Sequence, residues 1–181
     1  NVKSEVVDIK GDRLITKIPG GEIVNMEGAP VNSFYGYVFK GVYSNDDAAA
    51  AANLVNDKFV HYSAGDAIFA DLSGPAGTPD GVINSYDKTS IGSPLPDYIG
   101  SLVNVFYYKK FALSTMIQMV QGNDVFNYVR YKNEQMSGLQ NQSVTTLNRW
   151  QYQNQVTDIP RALWADPIGN SSFSTRWIED G

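Results

Sequence analysis

The chain has no cysteine. Disulfide scaffolds, iron–sulfur clusters, thiolate zinc sites and cysteine nucleophiles are therefore excluded. Its one histidine, His61, rules out multi-histidine metal sites as well. A Ser-His-Asp triad would have to run through His61, and no Gly-x-Ser-x-Gly elbow accompanies it. His61 reads as an ordinary strand or loop residue. Positive charge is scarce: 14 Lys and Arg stand against 19 Asp and Glu, for a formal net charge of −5. Phosphate binding needs a basic surface, so nucleic acid is not an expected partner. No apolar run reaches the roughly 18 residues of a membrane helix. Barrel strands carry a weaker signal than helices, and that route into a membrane stays open. The opening residues NVKSEVVDIKG show neither an initiator Met nor the charged-then-apolar pattern of a signal peptide. A mature or truncated product is the simpler expectation. The lack of cysteine does not report compartment by itself.

What is present argues for β structure. The 181 residues are 43% hydrophobic and 12% aromatic, too aromatic to stay solvated as a disordered chain. They suffice for one domain with a core, or for a piece of something larger. Runs rich in Val, Ile, Tyr and Phe at 5–9, 14–18, 22–26, 35–42 and 59–62 predict short strands. Gly11-Asp12 and Pro19-Gly20-Gly21 punctuate them as turns. Residues 44–55, SNDDAAAAANLV, predict a helix capped by Ser44 or Asn45, with Asp46 and Asp47 at its positive end. Residues 123–133 and 143–152 predict two more short helices, capped by Asn123 and Ser143. Residues 66–96 carry many Gly and Pro and read as a long functional loop. Residues 173–178 read as the approach to a further strand, which suggests a larger protein.

Residues 98–121 predict the strongest hairpin, two runs of about eleven residues around Lys109 and Lys110. A tilted membrane-spanning strand needs roughly 9–11 residues, whereas soluble strands run to about 5–6. A three-residue loop, Tyr108 to Lys110, collects Gly100, Asn104, Ser114 and Gln118 on one polar face and leaves the other apolar. A two-residue loop sets Asn104 opposite Thr115 instead. The three-residue loop is the expectation, with Lys110 in the left-handed position usually given to Gly or Asn. Tyr98, Tyr107, Tyr108 and Phe111 fall near strand ends, where barrels carry aromatic girdles and soluble hairpins pack aromatic pairs.

The segment from Asp71 to Asp87 offers oxygens in a calcium-loop pattern. Residues 80–87, DGVINSYD, match the second half of such a loop. Gly81 supplies the sharp turn and Ile83 the core anchor. Asp80, the Val82 carbonyl, Asn84 and Asp87 are candidate ligands, with Asp71 and Ser73 from the first half. Calcium takes about 6–8 hard oxygens. Five residues, 75–79, stretch the first half, and Asp87 stands where a longer Glu is usual. The alternative is an Asx-rich turn held by its own hydrogen bonds. Trp150, Trp164 and Trp177 are candidates for stacking on a sugar ring, or for anchoring loops. Asp46/Asp47 and Glu179/Asp180 look like cap and surface charges, so no acid–base pair is expected and the chain is not read as an enzyme.

These pieces lie in an order that resembles the SusC/RagA family of TonB-linked outer-membrane receptors. They are GAPVNSFYGY at 28–37, FKGVY at 39–43, AGDAIFADLSG at 64–74, DGVINSYDKTSIGSPLPDY at 80–98, YYKKFALS at 107–114, QGNDVFN at 121–127 and STRWIEDG at 174–181. The resemblance runs from about Gly28 onward. It implies a mainly β fold: antiparallel hairpins from a TonB-dependent-receptor-type transmembrane β-barrel of about 22 strands, with long extracellular loops and two or three short helices. Residues 1–181 would be one segment of the barrel domain, toward its C-terminal part and without the plug, with a long Asp/Gly/Pro-rich loop at 64–97 and the hairpin at 98–121. The implied role is outer-membrane import of a glycan or peptide nutrient. TonB would energise it through the plug, and a SusD-type surface lipoprotein would be its partner. The other reading is a soluble extracellular glycan-binding module with a calcium-ordered loop. Such a module would close a core of its own.

Overall fold

A computed structural model describes residues 5–6 and 13–181. The strand expected at 5–9 and the turn at Gly11-Asp12 fall largely outside these residues. The fold is mainly β, and its sheets are antiparallel apart from one short pair. Strand β1 (Arg13–Ile18) turns through Pro19 and Gly20 into β2 (Gly21–Met26). Gly20 takes a positive φ of 79°, which suits the second central residue of a Pro-Gly turn. Next come β3 (Ser33–Gly36) and β4 (Phe39–Val42). The single strand expected over 35–42 is broken at Tyr37. There the chain leaves one sheet and bonds the C-terminal segment: Tyr37 N–H donates to Phe173 O, and Thr175 N–H donates to Tyr37 O, both at 3.0 Å.

Helix α1 (Asp46–Ala52) follows. Asn45 caps it by accepting from Ala48 N–H, and Asn53 ends it in the left-handed region. Strand β5 (Val55–Asn56) replaces the strand expected at 59–62. The correction has a local cause. Asn56 Oδ1 accepts from the N–H groups of Lys58 and Val60, folding the chain back and driving Phe59 to φ 59°. His61 is exposed and makes one isolated bridge to Val55.

The loop expected at 66–96 is more ordered than its composition suggests. It holds β6 (Ala67–Phe69), β7 (Val82–Ile83), a 3-10 turn (Ser85–Asp87) and β8 (Thr89–Gly92). Strand β8 joins β3 in a four-stranded sheet ordered β1-β2-β3-β8, while β4 pairs β6 and β5 runs parallel to β7. The long hairpin is β9 (Tyr98–Tyr108) and β10 (Phe111–Gln121). Strand β11 (Asp124–Phe126) occupies the start of the helix expected at 123–133 and pairs with β12 (Ile178–Asp180). Asp124 is therefore drawn into a ladder, and Asn127 caps the shortened helix α2 (Tyr128–Glu134) by accepting from Arg130 N–H. Ser143 caps only a 3-10 turn (Val144–Asn148). Among the described residues no helix is long and apolar enough to cross a membrane, which says nothing of strands.

Tyr43, Ala49, Tyr62, Ala67, Phe69 and Ile83 form the core beneath α1. Loops close over it through buried ionic clamps. Asp66 is fully buried, and Arg161 grips both its oxygens at 2.8 and 3.0 Å. Asn170 Nδ2 and Ser63 N–H also donate to it. Glu134 is the second clamp, accepting from Arg176, Arg130 and Thr145. Leaving one partner of a buried pair uncompensated costs about 3–5 kcal/mol. Arg161 is partly open to solvent. The Asp66→Asn variant, which keeps shape but loses charge, is therefore expected near the lower end, about 3 kcal/mol less stable. Urea unfolding followed by tryptophan fluorescence checks this, because Trp150 packs against Gly65 beside the clamp.

Candidate functional site

The hairpin is the first feature with functional content. Phe111 pairs with Tyr108 and Gln121 with Tyr98, so the loop has two residues, Lys109 and Lys110. This corrects the three-residue expectation. Lys109, not Lys110, takes the positive φ, at 53°. A two-residue turn with a left-handed first position matches the twist of the flanking strands. The faces change with the register. One face carries the cross-strand pairs Tyr108/Phe111, Phe106/Leu113, Asn104/Thr115, Leu102/Ile117, Gly100/Met119 and Tyr98/Gln121. The other carries Tyr107/Ala112, Val105/Ser114, Val103/Met116, Ser101/Gln118 and Ile99/Val120. The first face holds the large side chains, with aromatics at both ends. The second holds smaller ones on average. Neither face is covered: Phe111 is 78% exposed, Tyr107 80% and Ile99 70%.

The base of the hairpin is locked to the loops. Asp97 N–H donates to Gln121 O at 2.9 Å, Tyr98 and Gln121 side chains bond across the strands, and Ser93 N–H donates to Asp124 Oδ2 at 2.7 Å.

The proposed metal-loop residues are brought into one turn, but their oxygens face backbone amides. Asp87 is fully buried and accepts from the N–H groups of Leu72, Ser73 and Asn84. Asp71 Oδ2 accepts from Gly81 N–H at 2.8 Å, and Asp80 Oδ1 from Val82 N–H at 3.0 Å. Asn84 accepts from Tyr86 N–H and donates to the Val82 carbonyl. Ser73 Oγ lies 3.5 Å from Gly74 O. Asp71 Oδ1 is buried without a hydrogen-bond partner. Among the described residues no three His, Cys, Asp or Glu side chains converge as a metal group. As it stands, the loop is an Asx-rich turn in which both Asp87 oxygens, Asp71 Oδ2, Asp80 Oδ1 and Asn84 Oδ1 are engaged by hydrogen bonds within the turn, while Asp71 Oδ1 is not.

The three tryptophans go to different places. Trp177 is fully buried, donates to Ser172 O and lies under the Arg176 guanidinium at 4.4 Å. Burial holds Arg176 below its ordinary range, at about 10, against the opposing pull of Glu134. Trp150 is partly buried and donates to Ser44 O at 3.0 Å. Trp164 is 71% exposed.

Beside the core lies a cleft of about 210 Å³ lined in part by Tyr37, Tyr62, Asn56, Asp57, Lys58 and Asp166. Tyr37 rests against Phe69, with ring centroids 5.3 Å apart, and Lys88 Nζ sits 5.6 Å from its ring centre. Burial, aided by Asp57 and Asp87, pushes the Tyr37 phenol up to about 12. Burial raises Tyr62 as well, and the neighbouring phenols Tyr37 and Tyr43 add to the effect. Both phenols are therefore neutral hydrogen-bonding groups at pH 7. Sequence reading missed the cleft and the clamps. One signal was available: Asp66 sits in the apolar run AGDAIFA, where a charge demands a partner.

No protein-family profile matches the chain. The chain is 32% identical over 156 residues to TonB-dependent receptor P3 of Formosa agariphila, a match that covers 86% of this chain and 14% of that protein. It is 30% identical over 185 residues to TonB-dependent receptor P26 of the same organism, covering 99% of this chain and 18% of that protein. The chain thus spans less than a fifth of the length of these relatives.

Two measurements test the site. A loop held by its own amides keeps its melting temperature in EDTA, whereas a calcium-dependent rise of several degrees, read by thermal melting with and without the ion, would favour the cation. The tyrosines add an alkaline limit. Their folded values lie above the unfolded value of about 10, so the folded state holds these protons more tightly. That stability is fully present below pH 10 and is lost as pH rises toward about 12. Tyr37→Phe should flatten this part of a stability-against-pH curve.

Proposed function

We propose that this chain is a segment of the barrel wall and outer loops of a TonB-linked outer-membrane receptor that imports a nutrient. The observation that carries the reading is the hairpin. Each of its strands is eleven residues long and exposed on both faces, with apolar side chains along its length. At about 3.3 Å per residue it extends roughly 36 Å, and a tilt of about 45° reduces its rise to roughly 25 Å, the height of the apolar band of an outer-membrane barrel. The similarity to two proteins named as TonB-dependent receptors supports the same reading, and it favours transport over catalysis.

The large-residue face meets lipid in this reading, because its aromatics stand at both ends of the strands. The smaller face meets the lumen. The loop body lies outside the membrane on the extracellular side, since long loops of such barrels are extracellular and the turn at Lys109 is short. Order and spacing of the motif pieces favour the SusC/RagA type, with a SusD-like lipoprotein as partner and a glycan or peptide as cargo. Neutral phenols in the cleft and the exposed Trp164 suit a hydroxyl-rich cargo. A soluble glycan-binding module is the weaker alternative, because it leaves the hairpin faces in water.

Arginine substitution separates the two faces. Ile117→Arg, near the middle of the large-residue face, is expected to cost about 2–4 kcal/mol of folding into lipid. Met116→Arg, on the other face, should cost far less. Folding of the whole protein into phosphatidylcholine vesicles, followed by heat-modifiable gel mobility, reads the difference. Equal tolerance at both positions removes the membrane reading.

A further inference from the structure

The turn of the hairpin carries a charge pattern that the import role does not use. Lys109 and Lys110 are the only charged residues between 98 and 121. Neither forms an ion pair among the described residues. The opposite end of the hairpin is flanked by acids, Asp97 and Asp124. Three exposed aromatics, Tyr107, Tyr108 and Phe111, surround the lysines, and Lys109 Nζ lies 5.3 Å from the Tyr108 ring centre. Lys109 also holds a left-handed backbone, at φ 53°, where glycine would sit without steric cost. The left-handed turn and the neighbouring Lys110 present both ammonium groups at the tip of the hairpin.

We propose that the Lys109–Lys110 turn is a docking surface for anionic phospholipid headgroups. The inference rests on the barrel reading, which places a short turn at the periplasmic surface, where the leaflet is phospholipid. The charges and the aromatics then fall at the headgroup level. Tyr108 and Phe111, on the large-residue face, take the amphipathic interface zone, while Tyr107 lies on the opposite face. The two ammonium groups reach past them to phosphate, each attracted by a negative surface within a Debye length. Lysine suits this partner because a mobile headgroup asks for a point charge on a flexible stem, without fixed bidentate geometry.

The test uses the whole protein that contains this chain, reconstituted in phosphatidylcholine vesicles with about one-fifth phosphatidylglycerol. Tyr108→Trp places a reporter on the large-residue face, and subtracting the signal of the parent protein isolates it. Bromine on the acyl chains of phosphatidylglycerol, or of an equal share of phosphatidylcholine, quenches the reporter by contact. The expected result is stronger quenching by the brominated phosphatidylglycerol, equivalent to a local enrichment of about threefold or more that shrinks in high salt. In Lys109→Gly/Lys110→Gln the enrichment should fall to the bulk ratio while the hairpin still forms, since glycine relieves the turn. Equal quenching by both lipids in the lysine-bearing protein overturns the proposal and leaves the barrel reading standing. Absence of quenching by either lipid takes residue 108 out of the membrane and overturns both.

Discussion

The rest of the structure depends on a constraint in the long hairpin: among the described residues, its two apolar strands pair with no third strand and are exposed on both faces. A lone two-stranded ribbon is marginal in water, and one of this length with exposed Ile99, Phe106, Leu113 and Ile117 is worse than marginal. Under the barrel reading proposed above, hydrocarbon on one face and further strands at both edges would resolve the conflict, because every backbone group in a barrel is paired between strands. The sealed alternative, with hairpin side chains filling an internal centre, is not what the structure shows. The base of the hairpin is correspondingly stiff. Gln121 O accepts from Asp97 N–H, and Asp124 accepts from Ser93 N–H, tying the ribbon to the loop body.

The loop body solves a different problem. It is long, rich in Gly, Pro and Asn, and without disulfides. Its order comes from acids, Asp66, Asp87 and Glu134 buried and Asp166 partly buried, that gather backbone N–H groups or guanidinium groups. Asp87 takes three amides, and Asp166 takes the amides of Gly169, Asn170 and Ser171. Asp66 and Glu134 take arginines. Hydrogen bonds to an ionised acceptor are roughly twice as strong as neutral ones, and burial protects them from water. The cleft between Tyr37 and Tyr62 inherits its rigidity from this scheme, since Asn56 on its rim is tied to Pro167 O and its own loop.

Much of this was legible in the sequence, and the failures share one cause. The hairpin limits were readable because an eleven-residue apolar run has one good interpretation. Helix α1 was readable because its caps are local. The strand expected over 35–42 broke, and the helix expected from Asn123 became β11, because partners more than 50 residues away claimed their backbones. Local propensity cannot register such partners. The calcium-like spacing of 80–87 and an Asx-rich turn are written with the same residues. In the structure Leu72, Ser73 and Asn84 all aim their amides at Asp87, a contact set that neither spacing nor composition spells out.

The turn length carries a further lesson about what a membrane wall selects. Sorting the hairpin by polarity favours a three-residue loop, which gathers Asn104, Ser114 and Gln118 on one side. The structure sorts by size instead. Phe106, Leu102, Leu113, Ile117 and Met119 share a face, and Ala112, Ser114, Ser101 and the valines share the other. A single polar pair such as Asn104/Thr115 can face outward where its two side chains lie directly opposite each other, at a distance of about 4.5–5.5 Å between Cβ atoms. Volume, before polarity, is the pattern to read when both surfaces of a strand are apolar.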